Sequence, residues 1–208
     1  MDMKNSPLSA CRLPGKLIMV VCLLFILISC KPSAPKVVAG TGDLTGFEIV
    51  EIPGSTIQYA MRKDGQNQIV IEGYVTNNQR SGEWVEYNED GEVGRIDNYV
   101  DGYLEGLSLK FSSRGQIELK SRYKRGILEG AWTQYKFGRV IEQRNYKAGK
   151  LDGVVRSYND RTWDLKQEAE YKDGVQHGFF RYYDEEGKVT LEYEYKNGEK
   201  VSGGIKKN

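Results

Sequence analysis

Gly126-Ile-Leu-Glu-Gly130-Ala-Trp132-Thr-Gln-Tyr135 decides the fold, because the chain repeats it. A tyrosine recurs at Tyr99, Tyr123, Tyr146, Tyr171 and Tyr195, in steps of 24, 23, 25 and 24 residues. A glycine keeps the same period at Gly82, Gly106, Gly130, Gly153 and Gly178. A second glycine runs Gly102, Gly126, Gly149, Gly174, Gly198. An aromatic lane runs Tyr87, Phe111, Tyr135, Tyr158, Tyr183, and an aliphatic lane Val93, Ile117, Val140, Leu165, Val189. Five lanes in one register mark an array of small repeated units.

Inside each unit the pattern alternates. Leu107, Leu109 and Phe111 share one parity, as do Val189, Leu191, Tyr193 and Tyr195. Period two predicts strands. Asp101-Gly102, Asp173-Gly174 and Asn197-Gly198 supply the positive backbone angles of tight hairpins. Glu89-Asp90-Gly91 and Glu185-Glu186-Gly187 mark the turns at the other end. The expected fold is therefore all-β, an antiparallel β-hairpin meander, with about ten strands over residues 74 to 200. Phe47 to Ile52, Ser55 to Arg62 and Ile69 to Tyr74 read as three further strands, joined at Pro53-Gly54 and Asp64-Gly65. Two copies depart from the pattern. The third is one residue short at its far tip, and the fourth is one longer, with Thr162-Trp163 where a turn glycine is expected. Both read as altered hairpin tips.

The stretches Gly102-Tyr-Leu-Glu-Gly106 and Gly126 to Tyr135 resemble MORN repeats, in the bacterial variant with a Tyr-x-x-Gly-x-x-x-Gly-x-Trp-x-x-Tyr core. The resemblance covers residues 74 to 205. It implies a single-layer sheet and a role in protein or lipid contact. Bacterial proteins with this variant are often labelled antitoxins.

The first residues are of another kind. Lys4, Arg12 and Lys16 precede an unbroken apolar run from Leu17 to Ile28, shorter than the ~20 residues that span a bilayer. A basic start, a short apolar core and a small residue before the cut describe a secretory signal peptide. The run closes Leu27-Ile28-Ser29-Cys30, which resembles the bacterial lipobox and implies lipidation at Cys30. Cleavage there discards Cys11 and Cys22, so the mature chain carries one cysteine and forms no internal disulfide. It also leaves 27 basic against 28 acidic residues, a balance that gives no general pull toward nucleic acid. Residues 31 to 43, rich in Pro, Ser, Ala and Gly, read as a flexible tether with a reach of about 40 Å. The expected organisation is a lipoprotein signal peptide over 1–29, a lipidated Cys30 with tether over 30–44, N-terminal capping strands over 45–73, and hairpin repeats over 74–208.

Function is less legible. His177, the single histidine, stands in a lane that reads Ser81, Glu105, Glu129, Asp152, His177, which is a polar turn slot rather than a catalytic constellation. The acidic tips lack the ligand spacing of a calcium loop, and no glycine-rich stretch precedes a helix. No enzyme, metal or cofactor is expected. Lys124, Lys147, Lys172 and Lys196 follow the lane tyrosines and form a basic stripe with acids nearby. The expectation is a non-catalytic scaffold of the bacterial cell envelope, anchored to the membrane at Cys30, that contacts a protein partner, or else a lipid or glycan. By similarity to enterobacterial lipoprotein sorting, Lys31 rather than Asp after the lipidated cysteine implies the outer membrane. The alternative is an antitoxin or immunity protein neutralising a partner toxin. The binding residues and oligomeric state stay open at this level.

Overall fold

The computed structural model describes residues 44–206. By contacts the chain divides into residues Met1–Lys31, which lie outside the described part, and a unit Pro32–Asn208. The described residues form one open sheet of sixteen antiparallel strands and no helix. Its strands are β1 Glu48–Glu51, β2 Gln58–Lys63, β3 Ile69–Thr76, β4 Gln79–Tyr87, β5 Val93–Val100, β6 Tyr103–Phe111, β7 Ile117–Lys124, β8 Ile127–Leu128, β9 Gly130–Lys136, β10 Arg139–Lys147, β11 Lys150–Leu151, β12 Gly153–Tyr158, β13 Leu165–Lys172, β14 Val175–Tyr183, β15 Val189–Lys196 and β16 Glu199–Ile205. Strand order follows chain order, so the sheet is the expected meander. β8 with β9, and β11 with β12, are single passes broken by a bulge. Counted so, β4 to β15 make the ten strands that the alternation predicts.

The bulge explains the first glycine lane. Between Asp97↔Ser108 and Tyr99↔Leu104, β5 spends one residue while β6 spends three, Glu105, Gly106 and Leu107. Between Ala169↔Phe180 and Tyr171↔Gln176, β14 likewise spends three against one. Each bulge centres on a glycine at positive φ, such as Gly106 at 80° and Gly178 at 108°. An inserted residue with φ > 0 is what favours glycine at a bulge.

The core lies on one face, near the start of the array. Paired residues on neighbouring strands share a face, so Ala60, Gly73, Trp84, Asp97, Ser108 and Ser121 form one row across β2 to β7. The row is buried, and Trp84 is its one large member. The indole rests on Gly73, and its Nε1 donates to the Tyr74 carbonyl at 3.0 Å. Phe47 meets its edge at 5.5 Å and Tyr99 at 6.3 Å, while the Arg80 guanidinium stacks 4.1 Å from the ring centre. Leu44 and Phe47, just before β1, pack on this cluster. A single layer buries little, so one aromatic with a cation over it supplies much of the packing here.

Val75 occupies, in β3, the place that the lane tyrosines hold later, two residues before the tip. It is fully buried, whereas Tyr74 points to the opposite face and is 43 % exposed. The structure also shows what the altered tips do. In the third copy the tip shrinks to two residues, Phe137-Gly138, both at positive φ. In the fourth, Trp163 itself takes the positive angle, φ 70°.

Candidate interaction surfaces

One end of the sheet carries the two-residue tips Asn77-Asn78, Asp101-Gly102, Arg125-Gly126, Ala148-Gly149, Asp173-Gly174 and Asn197-Gly198. These tips are tied to the preceding repeat. The Gly102 N–H donates to the Arg80 carbonyl at 3.0 Å, Gly126 to Leu104 at 2.8 Å, Gly149 to Leu128 at 2.9 Å, Gly174 to Leu151 at 2.8 Å and Gly198 to Gln176 at 2.8 Å. The polar turn slot makes the second tie. Arg125 N–H donates to Glu105 at 2.8 Å, Ala148 to Glu129 at 2.7 Å, Asp173 to Asp152 at 3.3 Å and Asn197 to His177 Nδ1 at 3.4 Å. His177 thus closes a tip as the carboxylates of its lane do. What looks variable in residue type is constant in place: each of these four side chains meets the first tip residue, the three carboxylates accepting its N–H and His177 Nδ1 accepting it in one tautomer while donating to Asn197 Oδ1, 3.3 Å away, in the other.

The stripe Lys124, Lys147, Lys172 and Lys196 stands beside these tips, exposed, on alternate strands and therefore about 10 Å apart. Val100, Tyr103 and Val175 are exposed along the same border, with Arg125 over the Tyr103 ring at 5.5 Å. A shallow hollow of about 400 Å³ includes Lys147, Lys172, Asp152, Glu170, Asp173 and His177. Its charges are mixed, so this border has a patterned polarity rather than a single sign.

The opposite end carries the tips Asp64–Gln68, Asn88–Glu92, Ser112–Gln116, Phe137-Gly138, Asn159–Asp164 and Asp184–Lys188. Side chains hold several of them. Asp64 Oδ1 accepts from the Gln66 and Gln68 N–H groups, both at 2.9 Å, and Asp184 Oδ1 accepts from Lys188 at 2.7 Å. The left-handed position is filled by Asn67, Gly91, Gly115 and Gly187 in the regular tips. Phe137 and Trp163 break that rule. A side chain in this region costs about 1–2 kcal/mol, and Phe137 is also 66 % exposed. Lys136 binds Asp160 at 2.6 Å, which joins the two unusual tips, and Arg139 lies 5.4 Å over the Trp163 ring.

On the face opposite the core, titratable groups are paired across strands. Glu72 accepts the hydroxyls of Tyr59 and Tyr87, the latter at 2.6 Å. The bond to Glu72, then burial, raises Tyr87 to about 12. Burial, then the same carboxylate, pushes Tyr59 up further. Toward the end of the array Arg156, Glu168, Arg181, Glu192 and Lys206 alternate in sign over consecutive strands, with contacts of 3.5, 3.0, 2.7 and 2.8 Å. Burial would raise Glu168, but the bonds from Tyr183 and Arg181 outweigh it and hold it low. Lys206 and Arg181 hold Glu192 low. These shifts reinforce the protonation states already present at neutral pH, neutral for the two tyrosines and ionised for the two glutamates, as in a structural ladder. Among the described residues no three His, Cys, Asp or Glu side chains gather as a metal site, and no helix is long and apolar enough to cross a membrane. Cys30 lies outside the described residues. No protein-family profile matches the chain, and no curated protein matches it.

Proposed function

We propose that the chain is a lipid-anchored scaffold of the bacterial cell envelope, held to the membrane at Cys30, whose repeat sheet contacts a protein partner without catalysing a reaction. The observation that carries this reading is the sheet's construction. Sixteen strands are spent on one open layer whose two tip borders present exposed side chains at a fixed repeat. Such a surface is long, regular and solvent-facing, which suits an extended contact. The lipobox-like Leu27-Ile28-Ser29-Cys30 and the Pro/Ser/Gly tether support the anchored placement. The MORN-like core supports the contact role. Anchoring is tested by Cys30→Ser, expected to release the protein from the membrane fraction. A variant that stays in the pellet refutes the anchor. Contact is tested by capturing the anchored protein from envelope extract with its bound proteins. Recovery of vesicle lipid alone, with no protein, refutes the protein-partner reading.

A further inference from the structure

We propose that two copies of this chain associate end to end through the tips that carry Phe137 and Trp163, each Phe137 seating in an acid-rimmed hollow of the other copy. This goes beyond the scaffold reading and does not rest on the anchor. Three observations carry it. First, Phe137 combines a left-handed backbone, φ 52°, with 66 % exposure, at a tip where Asn or Asp would relieve the first and remove the second. Strain and exposure at one residue point to a contact that uses the side chain. Second, the knob is basic on both sides, with Lys136 Nζ, which also holds Asp160 of its own chain at 2.6 Å, 5.9 Å from the ring, and Arg139, stacked on Trp163, just beyond Gly138. Third, a hollow of about 110 Å³ lies between the Asn159–Asp164 and Asp184–Lys188 tips. Leu165 and Tyr183 line it, with the three carboxylates Asp164, Asp184 and Glu185 against the single cation Lys166.

Knob and hollow lie on opposite sides of the Trp163 tip at the same end of the sheet. A two-fold axis near that tip therefore makes both contacts at once. Phe137 of each copy enters the other's hollow, Lys136 and Arg139 meet the carboxylates, and the two Trp163 side chains meet near the axis. A self-complementary patch of this kind closes as a dimer. Three tips per copy make a small interface, so the association is weak and falls with salt.

The test is a charge exchange in the detergent-solubilised full chain, read by sedimentation and by co-purification of two differently tagged forms. One form carries Lys136→Glu and Arg139→Glu, the other Asp164→Lys and Glu185→Lys. Wild type is expected to dimerise as concentration rises. Each form alone should lose self-association by at least ~tenfold in Kd, about 1.4 kcal/mol. Mixed, the two should pair again to within about threefold of wild type, because each knob then meets a hollow of opposite sign. Phe137→Asn, which tolerates the left-handed angle and should not harm folding, is expected to leave a monomer. The proposal is overturned by wild type that stays monomeric to about 1 mM, by either form self-associating like wild type, or by a mixture that does not restore pairing. Tips that bind anionic vesicles through Phe137 while the protein stays monomeric also overturn it, and assign the tips to the membrane.

Discussion

Gly73→Ala tests whether Trp84 is the keystone of the core. A methyl group at Gly73 would lie 2.3 Å from Trp84 Cδ2 and 2.5 Å from Cε2 and Cγ. The indole has little room to retreat. Phe47 and Tyr99 hold its edges, Arg80 covers it, and its Nε1 is bonded to the Tyr74 carbonyl. Overpacking a seated ring costs about 1–3 kcal/mol. Replacing glycine within a strand returns about 0.5–1 kcal/mol. At the middle of both ranges the net loss is about 1.3 kcal/mol, a fall in Tm of about 3–5 °C for a domain of this size. The control is Gly65→Ala, where nothing lies within 4 Å and the backbone angle is ordinary; it should melt with wild type. Circular dichroism and tryptophan fluorescence follow the melt. In a Trp84→Ala background, itself destabilised by about 3–5 kcal/mol, the Gly73→Ala penalty should vanish, since its cause is gone. If Gly73→Ala melts with wild type, or keeps its full penalty beside Trp84→Ala, the ring is not what requires the glycine.

Three further outcomes follow from the geometry. Gly130→Val forces a β-branched residue to φ 87°, whereas Glu129→Val loses one bond to Ala148, so the former should lower Tm at least about twice as much; equal melting temperatures contradict the bulge account. His177→Glu gives the Asn197 tip the carboxylate acceptor its neighbours have, and should add about 0.5–1 kcal/mol and slow amide exchange at Asn197; faster exchange would show that the slot is not an acceptor. Tyr87 is raised to about 12 in the folded chain against about 10 unfolded. Its contribution is thus complete below about pH 10 and is lost as pH climbs toward 12. Ultraviolet titration should show its ionisation moving back toward 10 in Glu72→Gln, and an unchanged curve would remove Glu72 as the cause.

The meander, its strand count and its odd tips were legible in the sequence because each rests on local chemistry. Alternation shows strands, paired turn residues show tips, and a missing glycine at Trp163 shows a changed tip. Relations between repeats were harder to see. The slot Glu105, Glu129, Asp152, His177 looks unconstrained until the backbone N–H one repeat later is placed beside it, because acceptance of a hydrogen bond does not demand one residue type. The hydroxyl partners were missed for a similar reason. Three tyrosines of the lane are hydrogen-bonded to a side chain fifteen residues earlier: Tyr87 to Glu72, Tyr158 to Gln143 and Tyr183 to Glu168, while Tyr135 has Lys120 at that place. Where the ring is Phe111, without a hydroxyl, that place holds Ile96. The match of polar with hydroxyl and apolar with phenyl is present in the sequence, but only as a comparison of two lanes, not as a pattern in either. The same logic bears on Phe137. Array positions whose chemistry follows from their neighbours, like the Glu72 and Ile96 places, are accounted for inside one chain. Phe137 meets the Lys136 ammonium at 5.9 Å and borders a hollow beside the Ser112–Gln116 tip, yet its ring stays 66 % exposed at a positive φ, and that exposed ring is what the proposed contact between copies would use.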